Sequence, residues 1–182
     1  MDAAALIERI APHVPGAALE AASSADMPTV YVPAGQIVSV CAALRDHAGF
    51  SLLIDITAVD YLPRVPRFEV VYHLCAPDAP RRARLKVKLA AGETIPTVQP
   101  VWPAAGWPER EVWDLFGIVF DGHGDLRRIL TPDDWEGHPL RKDYPVQVRK
   151  VAQTYEPLEV TEQEFRANIA RDRVTRDPGA ER

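Results

Sequence analysis

The chain has 182 residues, of which 47% are apolar, and a formal net charge of -5. That length and apolar content suffice for one well-packed domain with an appendage and are too small for two ordinary domains. The acidic balance, without any Lys/Arg-rich run, argues against nucleic acid as a partner, because phosphate binding needs a concentrated basic face.

Targeting and redox signals are sparse. The N-terminal stretch MDAAALIERIAPHVPG lacks the basic start and long apolar run of a secretory signal, and no window approaches the roughly 20 apolar residues of a membrane span. We therefore expect a soluble cytoplasmic chain that can still associate with a membrane complex. With only Cys41 and Cys75 and no CxxC motif, a four-cysteine zinc site or iron–sulfur cluster cannot be built from this chain alone. Both thiols are expected to be buried and inert.

The first half of the chain predicts two helices around a short strand. Residues 3–11 have helical apolar spacing. The stretch PTVYVP (28–33) reads as a strand bounded by prolines, which favours an edge position in a sheet. Residues 35–50 predict a second helix, for which Gly49 is a natural C-terminal stop.

Three strands follow, over 50–61, 67–76 and 81–90, and the short turns between them favour antiparallel neighbours. In the third strand, apolar residues alternate with the basic residues Arg82, Arg84, Lys86 and Lys88. This basic face is either a solvated sheet surface or a docking face for an acidic partner. Residues 95–108 are expected to form a short broken helix and linker. The element order predicts an α+β fold, a two-layer α/β sandwich with a mixed sheet, over residues 1–145.

The charged stretch REVWDLFGIVFDGHGDLRR (110–128) follows Pro108 and Glu109. Together these residues predict a helix that begins at Pro108 and ends at Gly117. Glu109 and Glu111 would lie near its positive N-terminus, and Arg110 can pair with Asp114 one turn later. A brief strand over 118–120 and a tight glycine turn over 121–125 come next. Residues 131–145 are too rich in Pro, Gly and Asp for regular structure. Their dense, balanced charges suit ion-pair networks that pin an irregular segment or a protein interface.

A catalytic interpretation of the same stretch rests on its two histidines. His123 and His138, together with nearby carboxylates, supply the residue types of a metal or acid–base site in a stand-alone hydrolase or metal enzyme. The spacing matches no HExxH motif, nucleophile elbow, P-loop or GxGxxG motif. A histidine in a glycine-rich turn commonly caps backbone groups instead, and this is the interpretation we favour.

The sequence EREVWDLFGIVFDGHGDLRRIL, followed by TPDDWEGHPLRKDYP, resembles the signature of the 30-kilodalton subunit (the C subunit of bacterial complex I) of respiratory NADH:quinone oxidoreductase. The resemblance spans residues 109–145. One departure is Gly124, where family members usually have proline between the histidine and the acid. The signature and interface residues that the resemblance assigns are Glu109, Arg110, Glu111, Asp114, Leu115, Phe116, His123, Arg127, Arg128, Trp135, His138, Arg141, Asp143 and Tyr144.

The resemblance implies a non-catalytic structural subunit of the peripheral arm, on the cytoplasmic side of the membrane. It implies no cofactor in this chain, whereas FMN, iron–sulfur clusters and quinone belong to the complex. The implied partners are the 49-kilodalton subunit, also called the D subunit, and neighbouring cluster-carrying subunits. The equivalent subunit of a membrane-bound hydrogenase, a formate hydrogenlyase or another complex-I-like assembly is the alternative.

Residues 146–182 predict an extended tail with one short helix. Thr161 and Glu164 form the pattern of a capping box, and a helix is expected to continue to about Asp172. Its apolar face is too small to fold alone. We therefore expect the tail to lie across another subunit, with Tyr155, Leu158 and Phe165 as anchors; the alternative is a frayed tail without a partner.

Overall fold

The computed structural model describes residues 2–145, 161–167 and 169. The chain divides into two compact units, Met1–Tyr144 and Pro145–Arg182. The helices of the first unit are α1 (Ala3–Ile10), α2 (Ile37–Ala48) and α3 (Gly106–Phe116). Its strands are β1 (Glu20–Ala22), β2 (Thr29–Tyr31), β3 (Leu52–Asp60), β4 (Phe68–Ala76), β5 (Arg81–Leu89), β6 (Ile95–Pro96) and β7 (Phe120–Asp121).

The main sheet is mixed, in the order β1-β2-β5-β4-β3. Strands β3, β4 and β5 form the predicted antiparallel meander, whereas β2 runs parallel to β5. The short pair β6 and β7 is also parallel and lies in a separate sheet. The predicted α+β class with a mixed sheet is confirmed.

One buried core joins the helices to one face of this sheet. Leu6 and Ile10 of α1 and Leu44 of α2 are fully buried in it, together with sheet residues such as Tyr72 and Leu85. The apolar positions follow the 3.6-residue period in the helices and the two-residue period in the strands, so each element buries one face. This arrangement is the predicted two-layer sandwich.

The predicted edge position of residues 28–33 is wrong, because β2 pairs with β1 on one side and β5 on the other. Pro28 and Pro33 lie just outside the paired residues, so their missing N–H groups cost no ladder hydrogen bond. The carbonyl of Pro28 even accepts a hydrogen bond from the Arg84 N–H. Strand β1, the true edge, is an alanine-rich stretch without any β-branched residue, so a strand signal is absent from its sequence.

The basic outer face of β5 is largely neutralised within the unit. Arg84 pairs with Asp26 at 2.7 Å and Lys86 with Glu69 at 2.6 Å, and the Lys88 ammonium lies over the Tyr31 ring. These contacts favour the solvated sheet surface over an acidic docking face. The expectation for the cysteines holds for Cys41, which is buried, but Cys75 is only half-buried.

In the second unit the described residues contain a helix over 162–167. The Thr161 N–H donates to the Glu164 carboxylate at 3.0 Å and the Glu164 N–H donates to Thr161 Oγ1 at 3.3 Å, which confirms the capping box. Phe165 is exposed. The predicted anchors Tyr155 and Leu158 lie outside the described residues. Within the part of the chain that is described, no helix has the length and apolar character needed to cross a membrane.

Candidate functional site

The start of α3 buries the first acid of the 109–145 segment instead of presenting it to solvent. The helix begins at Gly106, so Pro108 falls in its first turn, where the N–H groups have no intrahelical acceptor. Glu109 is fully buried and accepts hydrogen bonds from the Val98 N–H at 2.7 Å and the Thr97 hydroxyl at 2.5 Å. Burial raises the pKa of this carboxyl, although both hydrogen bonds oppose the shift.

His123 caps backbone groups, as its glycine-rich turn predicts. Its side chain is almost fully buried. Nδ1 accepts a hydrogen bond from the Asp125 N–H at 3.1 Å, and Nε2 lies 3.0 Å from the Gly106 carbonyl. Because Nδ1 accepts, the ring is the neutral tautomer whose Nε2–H donates to Gly106. His123 therefore fastens the glycine turn to the first turn of α3.

Asp114 is the centre of the segment. Its Oδ2 accepts from three consecutive backbone N–H groups, those of Ile129, Leu130 and Thr131, at 3.0, 2.8 and 2.9 Å. Its Oδ1 accepts from Arg128 at 2.7 Å. Burial alone would raise the pKa of Asp114, but the hydrogen bonds from Thr131, Arg128 and Ile129 outweigh it and hold that pKa well below its usual range.

The predicted pairing of Arg110 with Asp114 along the helix is wrong. The Arg110 guanidinium donates instead to the carbonyls of Arg127 and Arg128, at 3.2 and 2.9 Å, and its nearest carboxylate is that of Asp125 at 3.8 Å. Both helix side chains are buried. A buried group must satisfy its hydrogen-bonding capacity, and the irregular backbone after β7 offers more partners than one helical neighbour.

Residues 126–144, which we call the strap, also cap the C-terminal end of α3. The Leu140 N–H donates to the Leu115 carbonyl at 3.0 Å, Arg141 Nε donates to the Phe116 carbonyl at 2.5 Å, and His138 Nδ1 lies 2.9 Å from the Asp114 carbonyl. The last carbonyls of a helix have no intrahelical partner. Here the strap supplies those partners.

Arg128 closes the strap on itself. Besides Asp114, its guanidinium donates to the carbonyls of Trp135 and Gly137, at 2.6 and 3.0 Å. The Tyr144 hydroxyl donates to the Glu136 carbonyl, and its ring stacks on that of Trp135. An irregular segment thus receives a fixed conformation from one arginine and one aromatic pair.

A second attachment joins the strap to the β3–β4 hairpin. Asp60 accepts from Arg67 at 2.6 Å and from the Lys142 N–H at 2.9 Å, and Arg67 also binds Asp143 at 2.7 Å. The Arg67 guanidinium, with the backbone bonds, lowers the pKa of Asp60 despite its burial. Sequence reasoning did not identify Asp60 or Arg67 as part of this segment. The available signal is a pair of opposite charges on either side of the β3–β4 turn, since Asp60 ends β3 and Arg67 precedes β4.

The residues assigned by the resemblance therefore divide by exposure. Glu109, Arg110, Asp114 and Phe116 are buried, the His123 and Arg128 side chains are nearly so, and Leu115, Trp135, His138, Arg141 and Tyr144 are half-buried. Glu111, Arg127 and Asp143 are exposed. Two exposed residues beside them were not assigned from the sequence. Trp107 is 65% exposed and has the Arg110 guanidinium over its ring, and Leu130 is 61% exposed.

The catalytic interpretation of His123 and His138 finds no metal-ligand geometry in residues 2–145, 161–167 and 169. No group of three or more His, Cys, Asp or Glu side chains in these residues is placed to hold a metal ion. His123 uses both ring nitrogens on backbone groups, and His138 uses Nδ1 in the same way. What this arrangement does is hold backbone in place.

Residues 30–150 match the model of the respiratory-chain NADH dehydrogenase 30-kilodalton subunit family. The chain belongs to this family. It is 46% identical to the C subunit of the NADH-quinone oxidoreductase of Methylobacterium sp. (strain 4-46), over 89% of this chain and 80% of that protein. It is 44% identical to the corresponding protein of Roseiflexus sp. (strain RS-1), over 85% of this chain and 91% of that protein.

Among solved structures, the chain is similar to one from the membrane-bound sulfane sulfur reductase, an archaeal respiratory membrane complex. The TM-score is 0.68 at 28% sequence identity, and the match covers 87% of this chain and 94% of the other. The fold of this family thus occurs in a respiratory membrane complex with a different name and substrate. The resemblance drawn from residues 109–145 is confirmed at the level of the family.

Proposed function

We propose that this chain is the 30-kilodalton subunit of an NADH:quinone oxidoreductase, a structural subunit of the peripheral arm on the cytoplasmic side of the membrane. The observation that carries the proposal is that the charged and polar side chains of the segment 109–145 bind other groups of the same chain. The side chains of Asp114 and His123 accept hydrogen bonds from backbone N–H groups, and Asp114 also forms an ion pair with Arg128. On this proposal, electron transfer from NADH through FMN and iron–sulfur clusters to quinone is carried by other subunits, and this chain supplies no catalytic residue and binds no cofactor.

The exposed members of the segment are the proposed contact surface. Trp107, Arg127 and Leu130 have their side chains in solvent, beside the buried residues that fix the strap. Exposed aromatic, arginine and aliphatic residues on a rigid support are typical of protein interfaces. We assign this surface to the 49-kilodalton subunit and to neighbouring cluster-carrying subunits.

The tail is the second proposed contact. Phe165 is exposed on the described helix over 162–167, and Ile169, four residues later in the chain, is exposed as well. We propose that residues 146–182 extend across a neighbouring subunit with Phe165, Tyr155 and Leu158 as anchors. The same chain would then hold its partner by a rigid surface and by its C-terminal segment.

One observation favours the second candidate, an equivalent subunit of another complex-I-like assembly. The similar structure belongs to a sulfane sulfur reductase complex. A shared fold in such complexes is expected if that fold serves a common partner. The curated relatives named above are subunits of NADH-quinone oxidoreductase, which places the first candidate ahead.

Affinity purification of this chain from its native membranes, after mild detergent extraction, tests the proposal. We expect the 49-kilodalton subunit to co-purify with the flavin- and cluster-carrying NADH dehydrogenase subunits. Co-purification with a nickel–iron hydrogenase or a sulfur-reducing enzyme would support the second candidate. A chain recovered without partners under conditions that keep NADH dehydrogenase intact would contradict both.

A pair of exposed arginines tests the contact surface. Arg127→Ala should reduce co-purification of the 49-kilodalton subunit, whereas Arg82→Ala, on the outer face of β5, should not. Both side chains lie at the surface, so neither change should alter the folding of the free chain. Equal recovery of the partner with both variants would remove Arg127 from the interface.

A further inference from the structure

A groove lies beside β3, the last strand of the main sheet, and opens to solvent with a volume of about 570 Å³. One wall is the end of β3 and the loop that follows it, with Val59 and Leu62. The other wall is Phe116, at the end of α3, and Leu140 of the strap. Asp60 fastens the two walls to each other, because it ends β3 and accepts a hydrogen bond from the strap backbone at 2.9 Å.

Both walls leave large apolar side chains in solvent. Val59 and Leu62 on one wall and Leu140 on the other are exposed, and Val65, farther along the same loop, is 89% exposed. Single exposed apolar residues are normal on a protein surface, whereas a cluster of them around a groove is typical of a surface that another molecule covers. The groove is therefore a candidate docking site.

The charged rim of the groove is basic. Arg64 and Lys142 line it with exposed side chains, and neither forms an ion pair with any residue that the structure describes. The neighbouring carboxylates are already bound, since Asp60 and Asp143 both accept hydrogen bonds from Arg67. The whole chain has a net charge of -5, so a basic rim here differs from the average surface. The charge that complements it is a carboxylate.

The backbone beside the groove offers no hydrogen bonds to a partner. Ile56, Ala58 and Asp60, in the second half of β3, are buried as whole residues, and α3 packs against this strand. An extended segment would need open backbone groups to pair with. A helix satisfies its own backbone groups and needs only side-chain contacts. A small molecule would stay largely exposed in an open groove, whereas small-molecule sites bury most of their ligand.

We propose that this groove receives an amphipathic helix of a neighbouring subunit, with apolar side chains on one face and carboxylates beside that face. Apolar residues one turn apart would lie between the two walls, against Leu62 and Leu140. The carboxylates would pair with Arg64 and Lys142. Docking of this kind takes affinity from apolar anchors at helical spacing, and the rim charges select the partner and its orientation. The inference rests on the proposed function only in that the helix belongs to a partner in the same complex.

The groove differs from the contact surface proposed above. Trp107, Arg127 and Leu130 belong to α3 and to the beginning of the strap. The groove uses the other end of the strap, through Leu140 and Lys142, together with the loop after β3. The strap would therefore contact partners at both of its ends.

Peptide binding to the full chain tests the inference without the complex. The probe is a peptide of roughly fifteen residues with leucines at helical spacing and glutamates beside them. We expect this acidic peptide to become helical when it binds, as followed by circular dichroism, and to shift the methyl resonances of Leu62 and Leu140. A matched peptide with lysine in place of glutamate should bind about tenfold more weakly, because the charge-assisted contacts are lost.

A third peptide tests the requirement for a helix. It keeps the leucines and glutamates and carries a proline at its centre, which breaks a helix but leaves an extended chain possible. We expect at least about tenfold weaker binding than for the acidic peptide. Equal binding of the proline peptide, or binding of the acidic peptide without a gain in helix, would overturn the inference.

Variants of the chain supply the controls. Arg64→Glu with Lys142→Glu should reverse the preference between the acidic and basic peptides, whereas Arg82→Glu, on the outer face of β5, should not change it. Leu62→Ser should weaken binding of the acidic peptide, whereas Ile54→Ser, a similarly exposed position on β3 outside the groove, should not. Equal effects of the two serine variants would contradict docking in the groove.

Self-association is the competing occupancy of the groove. Methyl resonances of Leu62 and Leu140 that shift with the concentration of the chain alone would mean that a second copy fills the groove. That result would overturn the inference, as would resonances that none of the three peptides shifts.

Hydroxyl-radical footprinting of the purified complex then separates the two proposals. We expect Leu62 and Leu140 to be oxidised more slowly in the complex than in the free chain. If the chain co-purifies with its partners but both residues are oxidised equally fast, the docking inference is wrong and the proposed function stands. If no partner co-purifies, the proposed function fails, and the peptide results alone decide whether the groove binds a helix.

Discussion

Asp114 and Arg128 form a 2.7 Å ion pair in which the carboxylate is fully buried and the guanidinium is largely buried. The pair joins α3 to the strap, and both side chains make further hydrogen bonds to the strap backbone. The free-energy cost of burying each charge here depends on its partner, because an unpaired buried ion is far more costly than a paired one.

Replacement of Arg128 should destabilise the chain, whereas replacement of Arg127 should not. Arg128→Ala leaves Asp114 without its charged partner and two strap carbonyls without donors, at a cost of about 3 kcal/mol in the free energy of unfolding. Arg127 is 71% exposed, and among the described residues its side chain pairs only with the exposed Asp125, so Arg127→Ala should change that free energy by less than about 0.5 kcal/mol. Urea unfolding of the free chain measures both. Equal stability of the two variants would contradict the structural role of Arg128.

Gly117 should not tolerate a side chain, whereas Gly124 should. Gly117 has a φ of +71°, and a Cβ there would lie 2.5 Å from the side chains of His138 and Arg141. Gly117→Ala should therefore cost about 2 kcal/mol or more in unfolding free energy, from backbone strain and displacement of the strap. A Cβ at Gly124 meets nothing within 4 Å, so Gly124→Ala is the matched control. Thermal unfolding of both variants at one pH would show whether the difference exists.

Acid should weaken the fold through Asp60 and Asp114. Both carboxyls have pKa values below the usual range in the folded chain, so the unfolded state takes up protons first as the pH falls. Their contribution to stability is complete above the unfolded pKa of about 3.9 and is lost as the pH falls below it. Urea unfolding between about pH 6 and pH 3 should show this loss. Asp60→Asn should have a shallower loss than the original chain; an unchanged slope would contradict the assignment.

Glu109 should have the opposite pH dependence. Its pKa is raised by burial, so the folded chain holds its proton more tightly than the unfolded chain does. Stability from this group is greatest below the unfolded pKa of about 4.3 and falls as the pH rises through the folded pKa. Glu109→Gln removes the titration, so its stability relative to the original chain should increase with pH over that interval. A difference that does not vary with pH would show that Glu109 keeps an ordinary pKa.

The regular part of the fold was largely predictable from sequence. Strands β3, β4 and β5 and helix α2 are long enough for their apolar periods to be read, and their bounds match the predictions closely. The three-residue strands were harder. Strand β1 has no residue with strong strand preference, and the position of β2 inside the sheet depends on that missed neighbour.

The candidate site was predictable in location and only partly in arrangement. The spacing of residues 109–145 identified the family, and the role of His123 as a backbone cap followed from its glycine turn. The directions in which the Arg110 and Asp114 side chains point could not be predicted from the sequence. Helical spacing brings the two side chains together, whereas in the buried site each one bonds to the strap. Asp60 and Arg67 escaped notice because their partners in the strap, the Lys142 N–H and the Asp143 carboxylate, lie far away along the chain, and a sequence pattern cannot show such a contact.

The strap can be regarded as a ligand that is covalently tethered to its own receptor. Its charged and polar groups contact α3 and the β3–β4 hairpin, through Asp114 and Asp60, and a turn of a few residues after β7 delivers them. A tether that short gives an effective concentration in the millimolar range or above. Contacts too weak to hold two separate molecules together can therefore hold the strap. The strap sequence supplied as a free peptide would compete poorly with its attached copy.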